Sequence, residues 1–149
     1  MNLKQKIFAF YLQQVNDKVA MLQKVLADLK ESGTNETKST AGDKHETALA
    51  MLQIEQANVR GQLNEAFLQR TALEKINPEF AAAIIMTGSL VKTNRGYFFM
   101  SIALGKSLVD GIEVIAVSPQ SPLGAKMMGL KPGENIAMNE TPYIIEDIA

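Results

Sequence analysis

"TKSTAGDKHETALAMLQ", residues 37–53, is the stretch on which the reading of this chain turns. A polar segment rich in Ser, Thr and Gly runs into apolar residues at helical spacing, and Asp43 and Glu46 stand three residues apart at the junction. Asp43 suits a helix N-cap. Glu46 then stands where a side chain reaches back to the capping residue's own N–H, so "DKHE" has the form of a capping box with Asp in place of Ser or Thr. The same spacing sets both carboxylates on one face of the helix start, with Cβ atoms about 5–6 Å apart, close enough to approach one hard cation. Two carboxylates do not complete a Mg²⁺ site, because that ion is octahedral and is commonly held by one or two carboxylates with waters and phosphates. If the pair binds a metal, another molecule supplies the rest of the site. Cap and ligand pair are both consistent with the residues.

Upstream, Phe8, Leu12, Val15, Val19, Leu22, Leu26 and Leu29 recur at alternating steps of four and three, the heptad seam of a coiled coil. Downstream, Leu49, Leu52, Gln56, Val59, Leu63, Ala66, Arg70 and Leu73 form a second seam, weakened at polar Gln56 and Arg70. Two seams predict an antiparallel helical hairpin, with helices over about 5–30 and about 45–75 and a loop of roughly a dozen residues. At 1.5 Å per residue each helix spans about 38–45 Å, so the hairpin sticks out, with Asp43 and Glu46 at or near its distal end. Pro78 in "KINPEF" disfavours helical geometry at Asn77 and marks the stop.

Beyond Pro78 the pattern changes. "GSLVKTN", "RGYFFMSIAL" and "GIEVIAVS" are short runs rich in β-branched and aromatic residues, punctuated by Asn94-Arg95-Gly96 and Asp110-Gly111. In "SPQSPLGAKMMGLKPGE" Pro122 opens a short helix ending near Gly129, and a last hairpin turns around Asn139-Glu140. The fold class is therefore α+β, with a long N-terminal coiled-coil hairpin over 1–77 and a small antiparallel-sheet domain over 78–149.

With 149 residues and 46% hydrophobic content the chain is long enough for one domain or two small ones. It has no Cys, which excludes disulfides, thiolate zinc sites and thiol nucleophiles and fits a reducing cytoplasm. The apolar opening is broken by Gln, Asn and Asp before a signal-peptide core forms, and no run of about 18 apolar residues would span a membrane. The net charge of −1 argues against a protein that simply coats nucleic acid. Its distribution is uneven: residues 1–30 carry five lysines against Asp17 and Asp28, and residues 31–47 carry four acids against Lys38 and Lys44. His45 is the single histidine, read as a solvated neighbour since one imidazole builds no zinc site. Met51, Met127 and Met128 read as core filler. No phosphate loop, catalytic triad or dinucleotide fingerprint occurs, so the chain shows no self-sufficient active site.

A helical hairpin with paired acids at its tip, followed by a small sheet domain, resembles the Gre transcript-cleavage factors of bacterial RNA polymerase over nearly the whole chain. That family's tip has Gly-Asp, two residues, then Glu-Asn; "GDKHET" keeps Gly42, Asp43 and Glu46. Its C-terminal domain is FKBP-like and carries an Asp-Ser-Pro loop before a short apolar helix, matched by Ser121 and Pro122, with Gly129, Gly133 and Glu134 following. Thr47, Leu49 and Ala50 stand where the family has Asn, Glu and Tyr, Lys44 replaces an aliphatic residue, and Gln120 replaces the loop aspartate. The resemblance implies a transcription elongation factor that enters the polymerase's secondary channel and grips the rim through Ser121 and Pro122. It implies that Asp43 and Glu46 help the polymerase hold a second Mg²⁺ for cutting backtracked nascent RNA, so the chain stimulates the polymerase's own nuclease and is no enzyme itself.

Three other readings use the same residues. A regulator could occupy the channel without cutting and compete with true cleavage factors, with Lys44 beside the acids. A peptidyl-prolyl isomerase follows from an FKBP-like fold alone, although fold does not carry function and the aromatics of the C-terminal half are few. A coiled-coil scaffold could dimerise through its seams, with Gln56 and Arg70 setting register.

Overall fold

The structure, a computed structural model, describes the backbone of residues 1–37 and 42–149 and the side chains of residues 1–34 and 46–149. In chain order it contains α1 (Leu3–Thr37), α2 (Gly42–Glu74), β1 (Leu90–Thr93), β2 (Gly96–Met100), β3 (Gly105–Val109), β4 (Ile112–Val117), α3 (Pro122–Met127), β5 (Asn135–Met138) and β6 (Thr141–Ile148). The class is α+β: two long N-terminal helices packed together, then a six-stranded sheet. The chain divides into two compact units, Gln14–Arg70 and a discontinuous one of Met1–Gln13 with Thr71–Ala149. α2 ends at Glu74, four residues before Pro78, and the first thirteen residues cluster with the sheet.

In the helical unit Val19, Leu22, Val59 and Ala66 are buried together, flanked by half-buried Leu26, Leu29, Leu63 and Phe67. All but Phe67 belong to the two expected seams. Gln56 is half-buried in its seam and its Nε2 donates to the Leu29 carbonyl at 3.3 Å, so a polar group there is satisfied by backbone. The connection is much shorter than expected. Glu31–Thr37 continues α1, which has 35 residues, and α2 begins at Gly42, leaving residues 38–41 between the helices. No Pro interrupts residues 31–37, and Gly33 is half-buried close to Gln56, so packing carries the helix past its weak local propensity. Met51, expected in a core, is 65% exposed.

The sheet has the order β3-β4-β2-β1-β6-β5. It is mixed, not purely antiparallel, because β4 runs parallel to β2 from Tyr97↔Val114 to Met100↔Val117. The strand that the sequence reading missed explains this: β3 takes the outer edge, and the tight turn at Asp110-Gly111 returns β4 between β3 and β2. On β3 only Val109 is fully buried, so its sequence lacks a clear period-two signal. Asp110 and Gly111 (φ 54° and 80°) and Asn139 and Glu140 (φ 51° and 67°) have positive φ, as two-residue hairpin turns require.

Side chains alternate along β2, so the strand is covered on both faces. Phe98 and Met100 join Ile85, Val91, Ile145 and Met127 of α3 in one cluster. Phe99 turns the other way and stacks on Tyr11 of α1, with ring centroids 6.2 Å apart. The Tyr11 hydroxyl donates to the carbonyls of Gly105 (3.0 Å) and Val114 (3.2 Å), tying the first turns of α1 to β3 and β4. Ile7 and Tyr11 are buried, and Phe8 and Leu12, assigned to the seam, are half-buried. The start of α1 thus presents to the sheet a face one residue away from the expected seam. Its N-terminus carries the capping box the sequence reading sought elsewhere: Asn2 N donates to Gln5 Oε1 (3.0 Å) and Gln5 N to Asn2 Oδ1 (2.9 Å).

Candidate functional site

The acidic pair lies at the start of α2. Because that helix begins at Gly42, Asp43 falls inside the first turn and not at the cap, where the helix dipole still favours a carboxylate. The side chains of Asp43, Lys44 and His45 lie outside the described residues. Glu46 is described and exposed. Positions 43 and 46 share one helix and stand three residues apart, the spacing that sets two side chains on one face. Among the described residues no group of three or more His, Cys, Asp or Glu side chains could hold a metal ion. The Glu46 carboxylate is nonetheless chemically suited to Mg²⁺, as one member of a site finished by another molecule.

The second candidate, Ser121 with Pro122, belongs to the other compact unit. Ser121 is the N-cap of α3: its Oγ accepts from Gly124 N at 3.0 Å and donates to Ser118 O at 2.7 Å. Pro122 occupies the first helical turn, where its missing N–H costs nothing, and is exposed. The preceding turn closes through Ser121 N to Ser118 O (3.1 Å), and Ser118 Oγ donates to Gln120 Oε1 (2.7 Å) while accepting from Gln120 N (3.0 Å). The result is a braced loop with Gln120 and Pro122 at the surface. It carries no formal charge from Ser118 to Pro122.

Sequence reasoning missed the residue that permits this bracing. A Cβ added at Gly124 would stand 1.9 Å from Ser118 O and 2.8 Å from Ser121 Oγ, so only glycine lets the loop fold onto the helix. The Ser-Pro-Gln-Ser-Pro spacing hints at hydroxyl-closed turns, but the close approach to Gly124 is a tertiary contact. Lys4 was also missed: it is buried in the sheet unit and its Nζ donates to Phe80 O at 2.5 Å. Desolvation holds its pKa below the ordinary lysine value. Among the described residues, no helix is long and apolar enough to cross a membrane.

No family model matches the chain, and no curated protein matches it significantly. The geometry of the two sites therefore carries the functional argument, together with the resemblance in residues.

Proposed function

We propose that this protein is a Gre-type factor that binds the secondary channel of bacterial RNA polymerase and stimulates cleavage of backtracked RNA. In this reading the helical hairpin enters the channel. The sheet unit, an FKBP-like domain, holds the rim through the loop at Ser121 and Pro122. Asp43 and Glu46 together offer carboxylate oxygens to a Mg²⁺ whose other ligands come from the polymerase, and that ion supplies Lewis-acid activation of water. The chain acts in trans, so the chemistry belongs to the polymerase, and the working compartment is the cytoplasm.

The observation that carries this reading is the exposed Glu46, three residues after Asp43 at the start of a helix that packs along a second one. The braced, exposed loop before α3 suits a rigid contact surface.

Asp43→Asn separates the two uses of the pair. Asn keeps the size of Asp and forgoes only its attraction to the helix dipole, about 0.3–1 kcal/mol, whereas a neutral amide is a much poorer ligand for a hard cation. The variant is expected to bind core polymerase and to melt like the parent while losing RNA cleavage on a stalled, backtracked complex. Absence of stimulation by the parent, combined with competition against a true cleavage factor, would instead identify a non-cleaving channel regulator. A Ser121→Ala, Pro122→Ala double variant that bound polymerase unchanged would remove the loop from the interface.

A further inference from the structure

The sheet unit contains a cavity of about 450 Å³ that neither the hairpin acids nor the bracing of the Ser121 loop explains. Its walls come from the first turn of α1, the end of α2 with the turn that follows, the segment leading into β1, and the chain around Ser101 and Gln120. Two lysines, Lys4 and Lys75, line it, and no aspartate or glutamate does. The remaining surface combines apolar Ile76, Phe80, Met86 and Ile102 with neutral polar groups. Its volume lies within the range of about 300–1,000 Å³ usual for small-molecule sites.

Lys4 is the unusual member. It is only 5% exposed, although buried lysines normally extend the amine to water or pair it with a carboxylate. Among the described residues its Nζ makes one hydrogen bond, to Phe80 O, and no ion pair. An ammonium has three N–H donors, so two remain for an acceptor inside the cavity. A buried cation without a counter-charge is unfavourable, and its pKa is accordingly lowered by desolvation; a bound anion would reverse both effects. Lys4 is the one buried cation among lining residues that include Ile76, Phe80, Met86 and Ile102, a combination that suits a singly charged carboxylate on an apolar body.

We propose that this cavity binds a small organic carboxylate with an apolar body, its carboxylate on Lys4 Nζ and its body against Ile76, Phe80 and Met86. Lys75, exposed where it lines the cavity, adds a weaker, solvent-screened attraction. The site borders the Ser121 loop through Pro119 and Gln120 but uses neither Asp43, Glu46, Ser121 nor Pro122.

Octanoate and its neutral isostere octanamide provide the test on the intact protein, with binding measured by calorimetry and by the shifts of ¹³Cε-labelled lysines. Octanoate is expected to bind at least about tenfold more tightly than octanamide, since a hydrogen bond to a charged group is worth more than that factor. It should move the Lys4 resonance most. Lys4→Met should abolish the preference for the acid over the amide, and Lys75→Met should weaken octanoate binding by about two- to fivefold, as befits an exposed charge. Equal binding of acid and amide, shifts confined to the exposed lysines, or no octanoate binding at millimolar concentration would each overturn the proposal. The acid-versus-amide comparison uses the parent protein and so decides the matter even if Lys4→Met folds poorly.

Discussion

In the sheet unit β2 is closed on both faces, with Phe98 and Met100 on Met127's side and Phe99 against Tyr11. In the helical unit four cluster side chains, Val19, Leu22, Val59 and Ala66, are fully buried, and the seam positions Leu26, Leu29 and Leu63 stay half-exposed. A two-layered contact buries whole aromatic rings, whereas one seam between two helices leaves the far side of each helix in water. Met21, Ile54 and Leu68 are more than half exposed. The two regions therefore differ in how stability is distributed: the sheet unit concentrates it in side chains covered on both faces of β2, and the hairpin spreads it along one narrow seam. Regions with few buried apolar contacts open at lower free energy than the core.

The contrast is broken most directly at Phe99. Phe99→Ala is expected to cost about 3–5 kcal/mol and to lower the urea midpoint of the sheet unit accordingly. A loss below about 1 kcal/mol would show that the ring's contacts with Tyr11 carry little of the core.

Leu22→Ala should cost less, about 2–3 kcal/mol, because the half-open seam relaxes into the space left behind. Its effect should be confined. Hydrogen exchange is expected to accelerate at amides between Gln14 and Arg70 while β1, β2 and β4 keep their protection. Equal loss in the strands would mean that the units unfold as one.

Gly124→Ala tests the surface loop in place of either core. The added methyl meets Ser118 O, so either the loop or α3 must shift, at a cost of about 1–3 kcal/mol. Loss of the ordered amide resonances of Ser121 and Gly124 in solution NMR would report the shift.

The smallest expected effect is at Tyr11. Tyr11→Phe keeps the ring stack and removes the hydroxyl's bonds to Gly105 and Val114, a cost of about 0.5–1.5 kcal/mol. Burial raises the Tyr11 phenol above its ordinary value of 10.0, outweighing the Ser107 and Ala116 hydrogen bonds that act to lower it. Its neutral form therefore contributes stability that is fully present below about pH 10 and is lost as pH rises through the folded value. The lowered pKa of Lys4 acts in the opposite sense as pH rises toward the unfolded value. Comparing parent and Tyr11→Phe cancels the lysine, and the variant should lose less stability above pH 10. Parallel alkaline curves would place the phenol in a solvent-like setting.

Much of the helical unit was legible because heptad spacing records which face of each helix is covered, whatever covers it. The second seam matches at every position from Leu49 to Leu73, Gln56 and Arg70 included, all of them buried or half-buried. The first fails at its start, where Ile7 and Phe8, then Tyr11 and Leu12, offer two adjacent apolar stripes. Only the sheet selects between them. The polar composition of residues 31–37 reads as loop, yet backbone already held by a helical neighbour extends readily. Of the candidate sites, Pro122 at the opening of a short helix was legible from turn chemistry, whereas the cap at Ser121 was seen only in the structure. The cavity could not, because Lys4 looks like any charged residue near an N-terminus and becomes unusual only when residues between Ala72 and Gln120, far along the chain, surround it.

From its sequence alone this chain is an α+β protein with two long helices, hairpin turns at Asp110-Gly111 and Asn139-Glu140, and a short helix opened by Pro122. These features rest on local chemistry: helical periodicity, residues that tolerate positive φ, and a fixed proline φ. Tertiary structure alone decided that β4 inserts between β2 and β3, that the first thirteen residues complete the sheet's core, and that Lys4 is enclosed. Each of those depends on contacts between segments far apart in the chain, and a residue's own type and near neighbours do not specify which distant surface it will meet.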